Sequence, residues 1–105
     1  MTFDRKLMNL SSPKGKVDVI LDTDAYNEID DQFAISYALR SQDRLNVKAI
    51  YAAPFLNQHS VCPEDGMEKS AAEICKLLDF LGETREVFAG SRQFLQDEQT
   101  PFVSP

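Results

Sequence analysis

A chain of 105 residues has room for one domain, and at that size folding buries roughly 65% of the surface that the unfolded chain exposes. Seventeen acidic residues against eleven basic ones leave a net charge of −6, which argues against a nucleic-acid partner because such a partner needs a basic face. The 43% hydrophobic and 10% aromatic content is that of an ordinary globular α/β protein, and no run of about 18 apolar residues is present to span a membrane.

Residues 1–16 read as a polar lead-in closed by the turn-forming string SSPKGK. The first ten residues, MTFDRKLMNL, lack the apolar core and small-residue cleavage site of a signal peptide, so a cytoplasmic location is expected. A first strand follows at about Val17–Leu21, with Asp18 the only charge inside an otherwise apolar, largely β-branched run. The acidic string DTDAYNEIDD then occupies Asp22–Asp31, and apolar residues of helical period (Ile29, Phe33, Ala34, Ile35, Tyr37, Ala38, Leu39) predict a helix over about Ile29–Arg40. Those residues span more than one helix face, which predicts cover on several sides.

Val47–Ala53 reads as a second strand, completing a βαβ unit of the length expected for a right-handed parallel crossover. The segment Pro54–Glu64 is long for a connection between strand and helix, and ligands in open α/β sheets bind outside the carboxyl ends of the strands. That rule predicts one rim carrying both this loop and Asp22–Asp31. A second helix is expected over Asp65–Leu81, with Met67, Ala71, Ile74, Cys75, Leu78 and Leu81 as its apolar stripe and Gly82 just past its end. A short third strand at Val87–Ala89 gives a Rossmann-like β-α-β-α-β start, α/β in class, with an open, mostly parallel sheet and helices covering its faces. Strands two and three then lie on the same side of strand one. The other edge of strand one is left free, and either self-association through it or cover by further carboxyl-terminal residues is expected.

Four aspartates and a glutamate within ten positions need a reason. Two carboxylates about 4 Å apart repel by roughly 4 kcal/mol at an effective dielectric of 20. A hard cation reverses the sign, because oxygen ligands are what Ca²⁺ and Mg²⁺ take. Placing Asp30 and Asp31 at a helix N-terminus, a gain of about 0.3–1 kcal/mol each, leaves Asp22 and Asp24 unexplained. An EF-hand loop starting at Asp22 would need Gly and Glu where Asn27 and Phe33 stand, and fails. A haloacid-dehalogenase-like phosphatase also has DxD at the end of a strand, but usually carries Thr or Val where Tyr26 stands; it remains an alternative.

Elsewhere the chemistry is sparse. His59 is the only histidine, and a lone loop histidine is more often a surface residue than a proton donor. Tyr26 could stack on a sugar or base, or simply pack. Cys62 and Cys75 have no CxxC spacing or cationic helper and read as structural thiols. No GxGxxG, GxxxxGK[ST] or GxSxG string is present, so dinucleotide, P-loop and serine-hydrolase chemistry lack support.

The string DVILDTDAYNEIDDQFAISYAL (Asp18–Leu39) resembles the amino-terminal signature of the inosine–uridine-type nucleoside hydrolases, which carry DxDxxxDD at the end of their first strand. The resemblance implies an enzyme that hydrolyses the N-glycosidic bond of ribonucleosides, with Ca²⁺ as cofactor and a small nucleoside as partner. By resemblance Asp24 is the general base and a metal ligand, and Asp31 a second ligand. Asp22 is a supporting carboxylate behind them, and Asp30 a ribose-hydroxyl partner. Asn57 corresponds to a substrate-contacting asparagine in the loop after the second strand. Asp24 and Asp30 stand two positions further apart here than in the family pattern; Asn27, in the added stretch, joins the substrate-binding candidates. The family's later metal ligands have no position in the sequence. It therefore reads as the amino-terminal part, residues 17–105, of a larger nucleoside hydrolase fold, inactive when isolated. A non-catalytic acidic module that binds a cation or a partner is the contrasting expectation.

Overall fold

The computed structural model describes residues 1–103. Its elements are α1 (Phe3–Leu10), β1 (Val17–Thr23), α2 (Asp30–Arg40), β2 (Leu45–Ala52), α3 (Pro63–Leu81) and β3 (Glu86–Ala89). The three strands form one parallel sheet in the order β1-β2-β3, so the Rossmann-like α/β arrangement expected from the sequence is the one observed. As expected, β2 and β3 lie to one side of β1, whose outer edge pairs with no strand among the described residues.

The β1–β2 register shifts between Val19 and Ile20, where Lys48 is the extra residue of a bulge. Along β1 the side chains alternate: Val19 and Leu21 pack on the core, whereas Asp18, Ile20 and Asp22 are exposed. The central strand β2 is more fully buried, contributing Val47, Ala49, Ile50 and Ala52. Against these pack Ile35, Ala38 and Leu39 of α2 and Met67, Ile74 and Leu78 of α3.

Both helices cover the same face. Helix α2 packs on β2 and on α3, and α3 packs on β2 and β3. The expectation that helices cover both faces is thereby corrected. When the strand order follows the chain order, two successive right-handed crossovers put both helices on one side. The opposite face presents Ile20 (63% exposed), Tyr51 and Phe88, the two rings stacked at 5.0 Å.

Four further differences from the expected elements are local. The lead-in contains helix α1, capped by Thr2, whose hydroxyl accepts from the Arg5 N–H at 3.2 Å. Its apolar residues Phe3, Leu7 and Leu10 recur at helical spacing, yet none of its side chains is buried. In α2 only Ile35, Ala38 and Leu39 are buried, whereas Ile29, Phe33 and Tyr37 are exposed, so its cover is one-sided. In α3 the buried stripe is Gly66, Met67, Ser70, Ile74 and Leu78; Cys75, expected on it, is exposed. Helix α3 also begins two residues earlier than expected. Cys62 is its N-cap, its Sγ accepting from the Asp65 N–H at 3.4 Å, and Pro63 takes the first position, where a missing N–H costs nothing.

Candidate functional site

The carboxyl end of β1 is fixed by Thr23, a residue the sequence reading passed over. Its carbonyl accepts from the Ala53 N–H at 2.8 Å and from the Ser70 hydroxyl at 3.2 Å, joining β1 to the loop after β2 and to α3. Its own hydroxyl accepts from the Ala25 N–H at 3.2 Å and donates to Asp31 Oδ2, joining β1 to α2. One buried threonine therefore holds the aspartate-bearing loop against three elements. The available signal was its place between two aspartates at a strand end, with β-branching that suits the strand and a hydroxyl that suits the loop.

Beyond Thr23 the chain turns sharply. Ala25 is fully buried, and the Asn27 N–H donates to the Asp24 carbonyl at 3.0 Å. Tyr26, third in that turn, has φ of 86°, a left-handed conformation usually left to Gly or Asn. Residues held in this way cluster at functional sites. The Tyr26 ring meets His59 edge-on, with centroids 6.1 Å apart. The Asn27 amide donates to Asp24 Oδ2 at 2.8 Å, and the Asn57 amide donates to the side-chain oxygen of Asn27. The acidic loop and the loop after β2 thus share one rim.

The loop carrying Asn57 is itself braced. Ser60 accepts from the Asn57 N–H at 3.1 Å and donates to the Phe55 carbonyl at 3.1 Å. Gly66 lets α3 approach closely beneath it: a Cβ there would lie 2.1 Å from the Phe55 carbonyl oxygen. Asp65 accepts from the Val61 N–H at 3.0 Å and pairs with Lys69 at 2.9 Å. The Lys69 hydrogen bond, then the Val61 N–H, hold its carboxyl below the ordinary carboxylate range.

The six candidate residues divide into groups. Asp24, Asn27 and Asn57 are brought into one hydrogen-bonded set. Asp31 belongs to another, engaged by Thr23. Asp22 is exposed near the end of β1 and joins Asp31 in lining a cavity of about 160 Å³ between β1 and α2. It also lines a second cavity, about 330 Å³, on the open sheet face beside Ile20 and Tyr51. Asp30 is exposed in the first turn of α2, where a helix N-terminus favours negative charge.

Among the described residues, no three carboxylate, histidine or cysteine side chains converge as a metal-binding group. The oxygen ligands that are present are of the kind a hard divalent cation takes. Asp24 and Asp31 each have one oxygen engaged by a neutral donor, and no protein donor among the described residues holds the other. They are hard oxygen ligands, but two carboxylates fill only part of a shell of about six to eight.

Comparison of the chain with protein-family models, with curated proteins and with solved structures finds no match.

Proposed function

We propose that the rim formed by Asp22–Asp31 and the Asn57 loop is a ribonucleoside-binding half-site for hydrolysis of the N-glycosidic bond. The observation that carries this reading is the pairing of the two loops through Asn27 and Asn57 beside Asp24. It holds the Asp24 carboxylate, a group suited to water and sugar hydroxyls, at the carboxyl ends of parallel strands, where open α/β sheets take their ligands. The resemblance of Asp18–Leu39 to the nucleoside hydrolase signature supports the same reading and supplies the reaction class.

In this proposal Asp24 accepts the proton of the attacking water, and Asp30 binds a ribose hydroxyl. Water adds to an oxocarbenium-like ribosyl centre as the bond to the base breaks. A calcium ion held by Asp24 and Asp31 would acidify that water when bound. With only two candidate ligands among the described residues, transition-state stabilisation is incomplete, and base release by the isolated chain is expected at background.

Binding is therefore the discriminating measurement. Calorimetry with inosine, its 2′-deoxy analogue and free hypoxanthine, each with Ca²⁺, is expected to show binding of inosine alone, lost in Asp24→Ala. Equal binding of all three, or inosine binding that survives Asp24→Ala, would remove the ribosyl reading. The contrasting reading is a non-catalytic acidic module in which Asp24 and Asp31 each keep one carboxylate oxygen without a protein donor among the described residues. It predicts cation binding without any response to ribose.

A further inference from the structure

The two rim asparagines were candidates for touching substrate, yet their hydrogen bonds run in one direction towards Asp24. The start of the chain is a backbone donor that cannot be reversed: the His59 N–H donates to Asn57 Oδ1 at 2.7 Å. With its oxygen so engaged, Asn57 turns its Nδ2 to Asn27, donating to the side-chain oxygen and, at 3.4 Å, to the Asn27 carbonyl. Asn27 then has its oxygen occupied and only donors left, one of which reaches Asp24 Oδ2 at 2.8 Å. Amide orientations are usually ambiguous, but here a main-chain N–H at one end and a carboxylate at the other fix both.

We infer that Asn57 and Asn27 form a directional relay that positions the Asp24 carboxylate, so that the β2–α3 loop orients the acidic loop. Asn57 is then a positioning residue that acts through Asn27, not a group whose main work is to touch ligand. Asn27 falls within the stretch by which the loop exceeds the DxDxxxDD spacing, which gives that stretch a purpose. The Asp24–Asn27 turn with its left-handed Tyr26 is the local geometry in which the Asn27 amide reaches back to Asp24. The Asn57 loop is held independently by Ser60, so the relay starts from a fixed point.

Asn57→Asp is the informative variant. It keeps the size and the acceptor for the His59 N–H but removes the donor to Asn27. Side-chain amide NMR reads the relay without any ligand. In Asn57→Asp the Asn27 amide protons are expected to exchange with water about tenfold faster than in the wild-type chain. In Asp24→Ala, which removes the terminal acceptor, the Asn57 amide resonances are expected to move although Asn57 does not touch Asp24. Unchanged Asn27 exchange in Asn57→Asp, or Asn57 resonances indifferent to Asp24→Ala, would overturn the relay. Should Asn57→Asp fail to fold, Asp24→Ala decides alone from the other end.

The consequence for binding rests on the ribonucleoside reading above: inosine affinity is expected to fall about tenfold in Asn57→Asp. If the wild-type chain binds no inosine, that reading fails while the amide measurements still judge the relay. If inosine binds and the amides show no coupling, the relay alone is wrong.

Discussion

Ser70, in the middle of α3, donates its hydroxyl to the Thr23 carbonyl at 3.2 Å across 47 residues of sequence, and its side chain is fully buried. This bond docks the helix on the very end of β1, one residue before Asp24. Thr23 keeps its partner at Ala53 if the hydroxyl is removed, so no main-chain acceptor is orphaned. Ser70→Ala is therefore expected to cost about 1 kcal/mol, the net worth of one hydrogen bond. A thermal melt should show a fall of roughly 4–8 °C; an unchanged melting temperature would mean that the bond contributes nothing.

Gly66→Ala separates two opposing effects in α3. Alanine improves helix propensity by about 1 kcal/mol over glycine. The added Cβ would, however, lie 2.1 Å from the Phe55 carbonyl oxygen, and this contact is with backbone that cannot swing aside. Overpacking of this kind costs about 1–3 kcal/mol, so the steric effect should win. A lower denaturant midpoint is expected, and a raised midpoint would contradict the close approach of helix and loop.

Asp65 gives the start of α3 an acid-sensitive hold. Its carboxyl is held below the ordinary aspartate range by the Lys69 hydrogen bond and then by the Val61 N–H. A group lowered on folding contributes stability that is present above its unfolded value and lost as pH falls through the lowered one. The contribution should therefore be complete near neutrality and disappear below about pH 4. Protection factors of the Val61–Met67 amides, which remove the intrinsic pH dependence of exchange, should fall on acidification in the wild-type chain. In Asp65→Asn they should be low at neutral pH already and respond little to acid.

Calcium binding is expected to be weak, because Asp24 and Asp31 fill only part of an oxygen shell. Asp24→Ala should abolish it and Asp31→Ala reduce it strongly, as read by calorimetry. An isotherm unaltered by Asp24→Ala would disprove the assignment of that ligand.

The free edge of β1 predicts association between copies of the chain. Its outer backbone groups are unpaired by any described strand, and Ile20 is 63% exposed on the uncovered face. Sedimentation at micromolar concentration should show species larger than the monomer, with Ile20→Lys shifting the distribution back to monomer. A wild-type chain that sediments as a monomer throughout would refute this.

What the sequence determined by itself was local. Apolar β-branched runs at Val17–Leu21 and Val47–Ala53 marked strands, and periods of three and four marked α2 and α3 within a residue or two of their observed ends. The density of aspartate between Asp22 and Asp31 marked the rim before any fold was known. Tertiary structure decided the rest. Periodicity cannot say which face of the sheet a helix covers, because that depends on strand order and crossover hand, and both helices fell on one side. It could not tell that Cys75 lies outside the buried stripe, since Cys75 stands four residues after Ala71 and three before Leu78, and only the docking of the helix decides which edge of that stripe is covered. Nor could spacing reveal that Asp24 is engaged by Asn27 while Asp31 is engaged by Thr23. Hydrogen bonds between loops are chosen by the geometry of the strand ends that carry them, and no pattern along the chain encodes that geometry directly.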